Sequence, residues 1–262
     1  MNNDVTGKLP DNKNDNIDND NDNDENSDQA ALIDNWQQVS EQVEQAHKQA
    51  TEQHQSKAAA KVTLLAVSKT KPAKMITTLV KQGQHEFGEN YLQEAIEKIT
   101  TLQADPEMSA IVWHYIGSIQ RNKTRDIAEH FDWVQTLERD IIAKRLNDQR
   151  PDGMPPLNVL IQLNIDDEDS KSGCLPEELD ELITTIKGYE RLQLRGLMII
   201  PAKADTDAFA RTQRLFANIK QDHPELLGWD TLSMGMSSDM NEAIDNGSTM
   251  VRVGTAIFGA RD

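Results

Sequence analysis

The sequence predicts an α/β protein: a single (β/α)8 barrel of the TIM type, with an added N-terminal helix and a disordered N-terminal tail. From about residue 62 onward, short apolar runs alternate with polar turns and segments of helical period. Such alternation is typical of parallel strands joined by right-handed crossovers, and eight units close a barrel. The alternative is an open doubly wound sheet. That fold usually has a Gly-rich turn after its first strand, whereas here the turn is Ser-Lys-Thr-Lys-Pro.

The first 28 residues are set apart by their composition. They contain nine Asn and eight Asp and almost no apolar side chain, so they cannot bury enough surface to offset the entropy of ordering them. We therefore predict a disordered tail over 1–28 and one barrel domain over 29–262. A calcium loop in the tail is a weak alternative, because a loop counted from Asp18 has Asn23 where glycine is needed.

The barrel domain opens with a predicted helix over 29–56. Its apolar residues recur three or four positions apart, which indicates one buried stripe on a polar helix; they are Leu32, Trp36, Val39, Val43 and Ala46. The strands are predicted at 62–67, 85–88, 111–116, 132–136, 157–163, 193–200, 230–233 and 249–253. The helices that follow them are predicted at 73–83, 91–103, 121–130, 139–148, 177–187, 206–221 and 239–246.

Charge and cysteine content exclude several classes of function. The chain carries 27 Lys and Arg against 44 Asp and Glu, a net charge of −17. Nucleic acids and anionic membranes require a basic face, so neither is expected as a partner. Cys174, the single cysteine, permits no intrachain disulfide and fits the reducing cytoplasm; we expect a small half-buried residue. The sequence has no signal-peptide pattern, no apolar run of membrane-spanning length and no metal-binding cluster of Cys and His.

Lys69 follows the first predicted strand, at the end of the barrel where active sites of this fold lie. Its amine could balance a phosphate, act as a nucleophile, or simply extend to solvent as a structural lysine. A nucleophilic lysine needs a lowered pKa, because a free lysine titrates near about 10.4. Burial and the neighbouring Lys71 would lower this pKa, and a bound phosphate would raise it again. These alternatives stay open at the level of the residues.

The turns after the seventh and eighth strands form the clearest motif. "GMSSD" supplies Gly235 and the hydroxyl of Ser237, and "RVGT" supplies Gly254 and Thr255. TIM barrels commonly bind phosphate with this pair of loops, and helix starts add unpaired N–H groups. Either turn alone could be an ordinary polar turn. Both together predict a phosphate site.

Three further polar residues have structural alternatives. Asn90 precedes helix 91–103 and could cap it or contact a ligand, and Asp239 is the expected cap of helix 239–246. His114 lies inside the third strand, where alternation leaves it facing either the barrel interior or the outer helices. A packed core histidine is the expected outcome.

Seven segments in order closely resemble the pyridoxal phosphate homeostasis protein family: "AVSKTKP", "FGENYLQEA", "WHYIGSIQRNK", "VLIQLNIDDEDSKSG", "LRGLMIIP", "SMGMSSDMNEAI" and "GSTMVRVGTAIFGAR". The resemblance runs from about residue 30 to the C-terminus. It implies the barrel of fold-type III pyridoxal phosphate proteins, as in the N-terminal domain of alanine racemase. It also implies pyridoxal 5′-phosphate as the cofactor, held as an imine (a Schiff base) on Lys69.

The same resemblance implies roles for other residues. Ser237, Gly254 and Thr255 would hold the phosphate, and Asn90 would lie near the cofactor. Arg252 would face the pyridine nitrogen and keep it unprotonated, which weakens the ring as an electron sink.

The implied function is that of a cytoplasmic, monomeric protein that binds pyridoxal phosphate, keeps its free level low and passes it to apo-enzymes, with no established catalytic turnover. The alternative is a racemase-like enzyme of the same fold type. A racemase adds a β-rich domain that supplies a tyrosine, and the present chain ends soon after Arg252, so racemase activity is not expected. A Schiff-base aldolase is a more distant alternative, because a substrate phosphate could use the same loops.

Overall fold

Eight parallel strands close into a barrel in the computed structural model, which describes residues 18–54, 61–168, 172–202 and 205–260. The strands are Thr63–Val67 (β1), Glu86–Glu89 (β2), Val112–Tyr115 (β3), Trp133–Leu137 (β4), Leu157–Leu163 (β5), Leu192–Ile199 (β6), Thr231–Ser233 (β7) and Met250–Val253 (β8). Each strand pairs with the next, and β8 pairs with β1 to close the ring. The predicted barrel is confirmed, with every strand boundary within one residue of its expected position.

Helices surround the barrel in the described parts of the chain. They are Asp18–Gln53 (α1), Ala73–Val80 (α2), Leu92–Gln103 (α3), Thr124–His130 (α4), Asp140–Gln149 (α5), Leu179–Ile186 (α6), Ala208–Asp222 (α7), Met240–Asp245 (α8) and Thr255–Phe258 (α9). Short 3-10 turns at Pro106–Met108 and Pro176–Glu178 join them. The short helix α9 was not predicted. Among the described helices, none combines the length and apolar character needed to cross a bilayer.

The first helix differs from its prediction at both ends. It begins at Asp18 and ends at Gln53, so residues 18–28, which the composition assigned to a disordered tail, are helical. Residues 1–17 lie outside the described part.

The apolar stripe of α1 packs against the barrel as predicted. Leu32, Val39, Val43 and Ala46 are buried, and the indole of Trp36 donates a hydrogen bond to Gln84 at 2.9 Å. α1 contacts α2, α8 and α9, so it covers the seam at which β8 meets β1.

Apolar side chains inside the barrel form a small cluster of their own. Trp133, Leu160 and Met198 pack together there, with Val112 partly buried beside them, apart from the larger core of the protein. Buried polar side chains share the interior with this cluster, among them His114, Gln135 and Ser233.

Candidate functional site

Lys69 lies where the sequence placed it, in the turn that follows β1. Ser68 before it is fully buried, and Lys69 itself is half-buried. Thr70 after it has φ of +64°, a left-handed conformation that is uncommon for a non-glycine residue. The backbone N–H of Thr70 donates to the carboxylate of Glu94 at 2.6 Å. The turn is thus held in a defined and strained conformation by α3.

A buried ion cluster lies beneath this turn. The ammonium group of Lys98 donates to Glu89 at 2.8 Å, to Glu94 at 2.5 Å and to the carbonyl oxygen of Ser68 at 2.8 Å. The Ser68 hydroxyl donates to the same Glu89 carboxylate at 2.7 Å. Burial raises the pKa of Glu89, and the positive charge of Lys98 opposes that rise. Sequence reasoning missed this cluster, although Glu94 and Lys98 show the four-residue spacing of a helical ion pair.

The turn after β8 comes close to the strand that carries Lys69. A Cβ atom at Gly254 would lie 3.3 Å from the carbonyl oxygen of Val67, so the two strand ends approach closely. Gly254 then opens the short helix α9. The first N–H groups of a helix have no partner within it, which suits them to an anion. A short extra helix in this position is the usual phosphate site of TIM barrels.

The turn after β7 faces the same end of the barrel. Gly235 has φ of +95°, and a Cβ atom there would lie 2.6 Å from the Cβ of Ala243, so only glycine fits. Ser237 and Thr255 both have exposed side chains on these two turns. The structure therefore places the predicted phosphate residues at the carboxyl ends of the neighbouring strands β7 and β8, with Gly254 beside the strand that leads to Lys69.

Two capping predictions need correction. Helix α3 begins at Leu92 with Tyr91 in the capping position, so Asn90 is not its cap. Asp239 does precede α8, yet it makes no side-chain bond to that helix. Its carboxylate accepts the N–H of Met236 at 2.6 Å instead. Asp239 thus closes the loop that carries Ser237.

Asn90 instead lines a cavity of about 280 Å³ at the carboxyl ends of strands β2 to β6. Its side-chain oxygen is buried without a hydrogen-bond partner, and its amide nitrogen reaches only 3.5 Å from the carbonyl oxygen of Ile116. An unsatisfied buried acceptor costs about 1–3 kcal/mol, which makes a bound donor favourable. The other lining residues are Ile116, Gly117, Ser118, Thr136, Gln162, Ser172 and Ile200.

Arg252 points into the barrel from β8. Its guanidinium donates to the Ser233 hydroxyl and to the carbonyl oxygen of Ile199, each at 2.8 Å, and the residue is 5% exposed. Burial lowers the pKa of Arg252 to about 10, and Asp239 opposes this fall. The group therefore stays cationic at neutral pH.

His114 is a core histidine, as expected, and it faces the barrel interior. The ring is fully buried and stacks on Trp133 with centroids 5.1 Å apart. Its two nitrogens contact Glu86 at 2.5 Å and Gln135 at 2.9 Å. It lies away from the cavity that Asn90 lines.

A larger groove, of about 490 Å³, lies between α1, α7 and α8. Its residues Gly247, Ser248 and Thr249 lead into β8, so the groove is at the amino end of the strands, where TIM barrels carry stability rather than chemistry. It contains none of the predicted site residues. Within the described residues, no group of three or more His, Cys, Asp or Glu side chains could hold a metal ion.

Comparisons with known proteins agree with this geometry. The family model "Alanine racemase, N-terminal domain" matches residues 27–262. The pyridoxal phosphate homeostasis protein of Escherichia coli K12 is 53% identical over 206 residues, which cover 77% of this chain and 86% of that protein. PipY of Synechococcus elongatus, solved with pyridoxal phosphate bound, is 32% identical with a TM-score of 0.68, over 81% of this chain and all of that one.

A more distant match shows the fold alone. Alanine racemase of Corynebacterium glutamicum is 18% identical with a TM-score of 0.60, and the match covers 88% of this chain but 61% of the racemase. Fold and site together thus define a barrel of the alanine racemase N-terminal class. Within that class, the chain belongs to the pyridoxal phosphate homeostasis protein family.

Proposed function

We propose that this protein binds pyridoxal 5′-phosphate at the carboxyl end of its barrel, with Lys69 as the covalent attachment point, and so keeps the free cofactor low. The observation that carries the proposal is the contact between Gly254 and Val67. It brings the phosphate-type turn next to the turn of Lys69, as a small phosphorylated aldehyde that binds to both turns requires.

The described residues fit this cofactor chemically. Gly254 and Thr255 at the start of α9, and the Ser237 hydroxyl on the turn after β7, are donors suited to a phosphate. Arg252 is a buried cation that suits an unprotonated ring nitrogen. The unsatisfied oxygen of Asn90 supplies an acceptor in the adjoining cavity. When bound, pyridoxal phosphate would supply an aldehyde that condenses reversibly with a lysine amine, with loss of water.

The residues of this chain would bind the cofactor and hold it in place rather than catalyse a reaction with it. The ion cluster of Lys98, Glu89 and Glu94 fixes the turn from which the Lys69 amine extends. Arg252 is held inside the barrel by Ser233 and Ile199, and it would face the ring nitrogen of the cofactor. We further propose that the protein is a cytoplasmic monomer that passes the cofactor to apo-enzymes. The single unpaired cysteine, Cys174, is compatible with that compartment.

The experiment is borohydride reduction of the loaded protein followed by peptide mapping. We expect the pyridoxyl group on the peptide that contains Lys69, and we expect Lys69→Ala to lose the yellow colour while remaining folded. Lys71→Ala is the matched control, because Lys71 lies two residues away and its ammonium group donates to the carbonyl oxygen of Ala260 at 2.7 Å. Label found only on Lys71 or another lysine would reject the assignment.

A further inference from the structure

A chain of hydrogen bonds crosses the barrel interior from Arg252 to Glu86. Arg252 Nη1 lies 2.8 Å from Ser233 Oγ, which lies 2.7 Å from Gln135 Oε1. Gln135 Nε2 lies 2.9 Å from His114 Nδ1, and His114 Nε2 lies 2.5 Å from Glu86 Oε2. The three middle residues are fully buried. The path therefore joins five strands, β2, β3, β4, β7 and β8, through the barrel interior.

The direction of these bonds follows from the chemistry of the groups. A guanidinium only donates hydrogen bonds, so the Ser233 oxygen accepts from Arg252. The Ser233 hydroxyl then donates its own hydrogen bond to the side-chain carbonyl of Gln135. The amide nitrogen of Gln135 then faces His114, and it also lies 3.1 Å from the sulfur of Met250. The inverted amide would aim its oxygen at that sulfur and would take away the acceptor of the Ser233 proton. The amide orientation is thus determined by both neighbours.

The tautomer of His114 follows from that orientation. A donating amide requires a lone pair on Nδ1, so the single ring proton is on Nε2 and is donated to the Glu86 carboxylate. Other charged groups near the ring are Asp132, whose carboxylate accepts the N–H of Trp113 at 2.8 Å, and Arg195, stacked 4.7 Å over Trp133. Neither of these two bonds a ring nitrogen, so the tautomer rests on Gln135 and Glu86.

We propose that His114 is a positioning residue for the cofactor site. Its Nε2 proton is donated to Glu86, and its Nδ1 lone pair fixes the orientation of the Gln135 amide. The Gln135 oxygen then fixes the Ser233 hydroxyl. That hydroxyl in turn orients the guanidinium of Arg252. The side chain of Glu86 is 33% exposed and lines a cleft of about 450 Å³ at the amino end of the strands. The orientation of Arg252 at the binding end is therefore set partly from the opposite end of the barrel. The inference rests on the proposed function for its consequence, but the hydrogen-bond order can be tested without it.

The first test uses the apo-protein labelled with ¹⁵N in its histidines. Long-range ¹⁵N–¹H correlation spectra at neutral pH distinguish the two neutral tautomers and the imidazolium, and His114 is assigned by its absence from a His114→Asn spectrum. We expect the proton on Nε2 and a bare Nδ1. A proton on Nδ1, in either the other tautomer or an imidazolium, would overturn the proposal whether or not the protein binds pyridoxal phosphate.

The second test compares two substitutions, each of which replaces the hydrogen-bonding group of one of the two ring nitrogens. Asn places an acceptor near the position of Nδ1 and so keeps the bond from Gln135, whereas Gln places a donor near Nε2 and keeps only the bond to Glu86. Both variants lose the stacking on Trp133, so each controls for the other. We expect both variants to bind pyridoxal phosphate more weakly than the parent, with the larger loss, about two- to tenfold relative to His114→Asn, in His114→Gln, the effect of one neutral hydrogen bond.

Two readouts besides affinity separate positioning from a merely structural role. Thermal unfolding of the apo-variants reports the structural effect, and the visible spectrum of the loaded protein reports the surroundings of the ring. Equal affinities and spectra for the two variants would overturn the proposal. If neither variant folds, the spectra of the unmodified protein decide, with His114 assigned by triple-resonance correlation. Failure of the parent protein to take up pyridoxal phosphate would instead reject the proposed function and leave the tautomer result standing.

Discussion

The ammonium group of Lys98 lies 2.8 Å from the carbonyl oxygen of Ser68, the residue immediately before Lys69. The same group holds Glu89 and Glu94, and Glu94 in turn accepts the N–H of Thr70. A single buried cation thus binds both sides of the turn from which the candidate attachment lysine extends. The conformation of that turn thus depends on buried side chains of β2 and α3.

Replacing Lys98 by Met should strongly destabilise the fold. The change leaves the fully buried Glu89 carboxylate without its cation, and breaking a buried pair in this way costs about 3–5 kcal/mol of unfolding free energy. Urea denaturation followed by circular dichroism measures the loss. Lys144→Met is the matched control, because it removes an exposed helical pair with Asp148 and should leave the midpoint nearly unchanged. Equal effects of the two changes would contradict the role assigned to Lys98.

The loss caused by Lys98→Met should also grow with pH. The pKa of Glu89 is raised in the folded protein, so its contribution to stability is full below about 4.5 and falls as pH rises through the folded value. Removing Lys98 raises that folded value further and widens the range over which stability falls. Denaturation of both proteins at pH 4.5 and at pH 8 should therefore show the larger difference at pH 8. A difference that shrinks with pH would mean that Glu89 is not the group left unpaired.

Cys174 should be unreactive in the native protein. It is 4% exposed, more buried than the half-buried residue expected from the sequence, and burial raises the pKa of its thiol to about 12. Because the thiolate is the reactive form, Ellman's reagent at pH 8 should label the thiol only as the protein unfolds. Urea-unfolded protein serves as the control and should react completely. Rapid labelling of the native protein would show that the segment around Cys174 opens readily.

Removing the Thr255 hydroxyl should weaken binding of pyridoxal phosphate. Charge-assisted hydrogen bonds contribute about 1.5–3 kcal/mol, so Thr255→Ala should raise the dissociation constant roughly ten- to hundredfold. Thr255→Ser keeps the hydroxyl and is the matched control. Pyridoxal without its phosphate should bind the parent and Thr255→Ala alike, which assigns the effect to the phosphate. Unchanged binding of pyridoxal phosphate by a Ser237→Ala/Thr255→Ala double variant would contradict this assignment of the phosphate site.

Local patterns made much of this architecture predictable from the sequence. Strand positions and the two phosphate-type turns depend on neighbouring residues, so composition and spacing located them. The Asn90 cap failed because α3 begins at Leu92, and a small shift of a helix start decides which side chain reaches its amides. The path through the barrel could not be predicted, because its bonds join distant residues, Ser233 and Gln135 being 98 positions apart. Polar residues inside apolar strands were the available signal, but the fold determines which of them meet.

The protein should bind its cofactor without turning over amino acids. Racemisation requires a base on each face of the α-carbon, and the geometry of the turn after β1 presents Lys69 to one face. Arg252 is no candidate for the second base, because it remains protonated at neutral pH and is hydrogen-bonded toward the barrel interior. As proposed, Arg252 would face the ring nitrogen and keep it unprotonated, which would also withhold the positive charge that most carbanion chemistry uses. We therefore expect this site to bind pyridoxal phosphate without catalysing the racemisation of amino acids.

The measurement is α-proton exchange and change of chirality when the loaded protein is mixed with L-alanine and other L-amino acids in deuterated water. A purified alanine racemase is the positive control, and Lys69→Ala is the negative one. We expect no more than one event per site, together with transfer of the cofactor to a pyridoxal-phosphate-dependent apo-enzyme in the same buffer. Multiple turnovers on any amino acid would restore the racemase-like alternative.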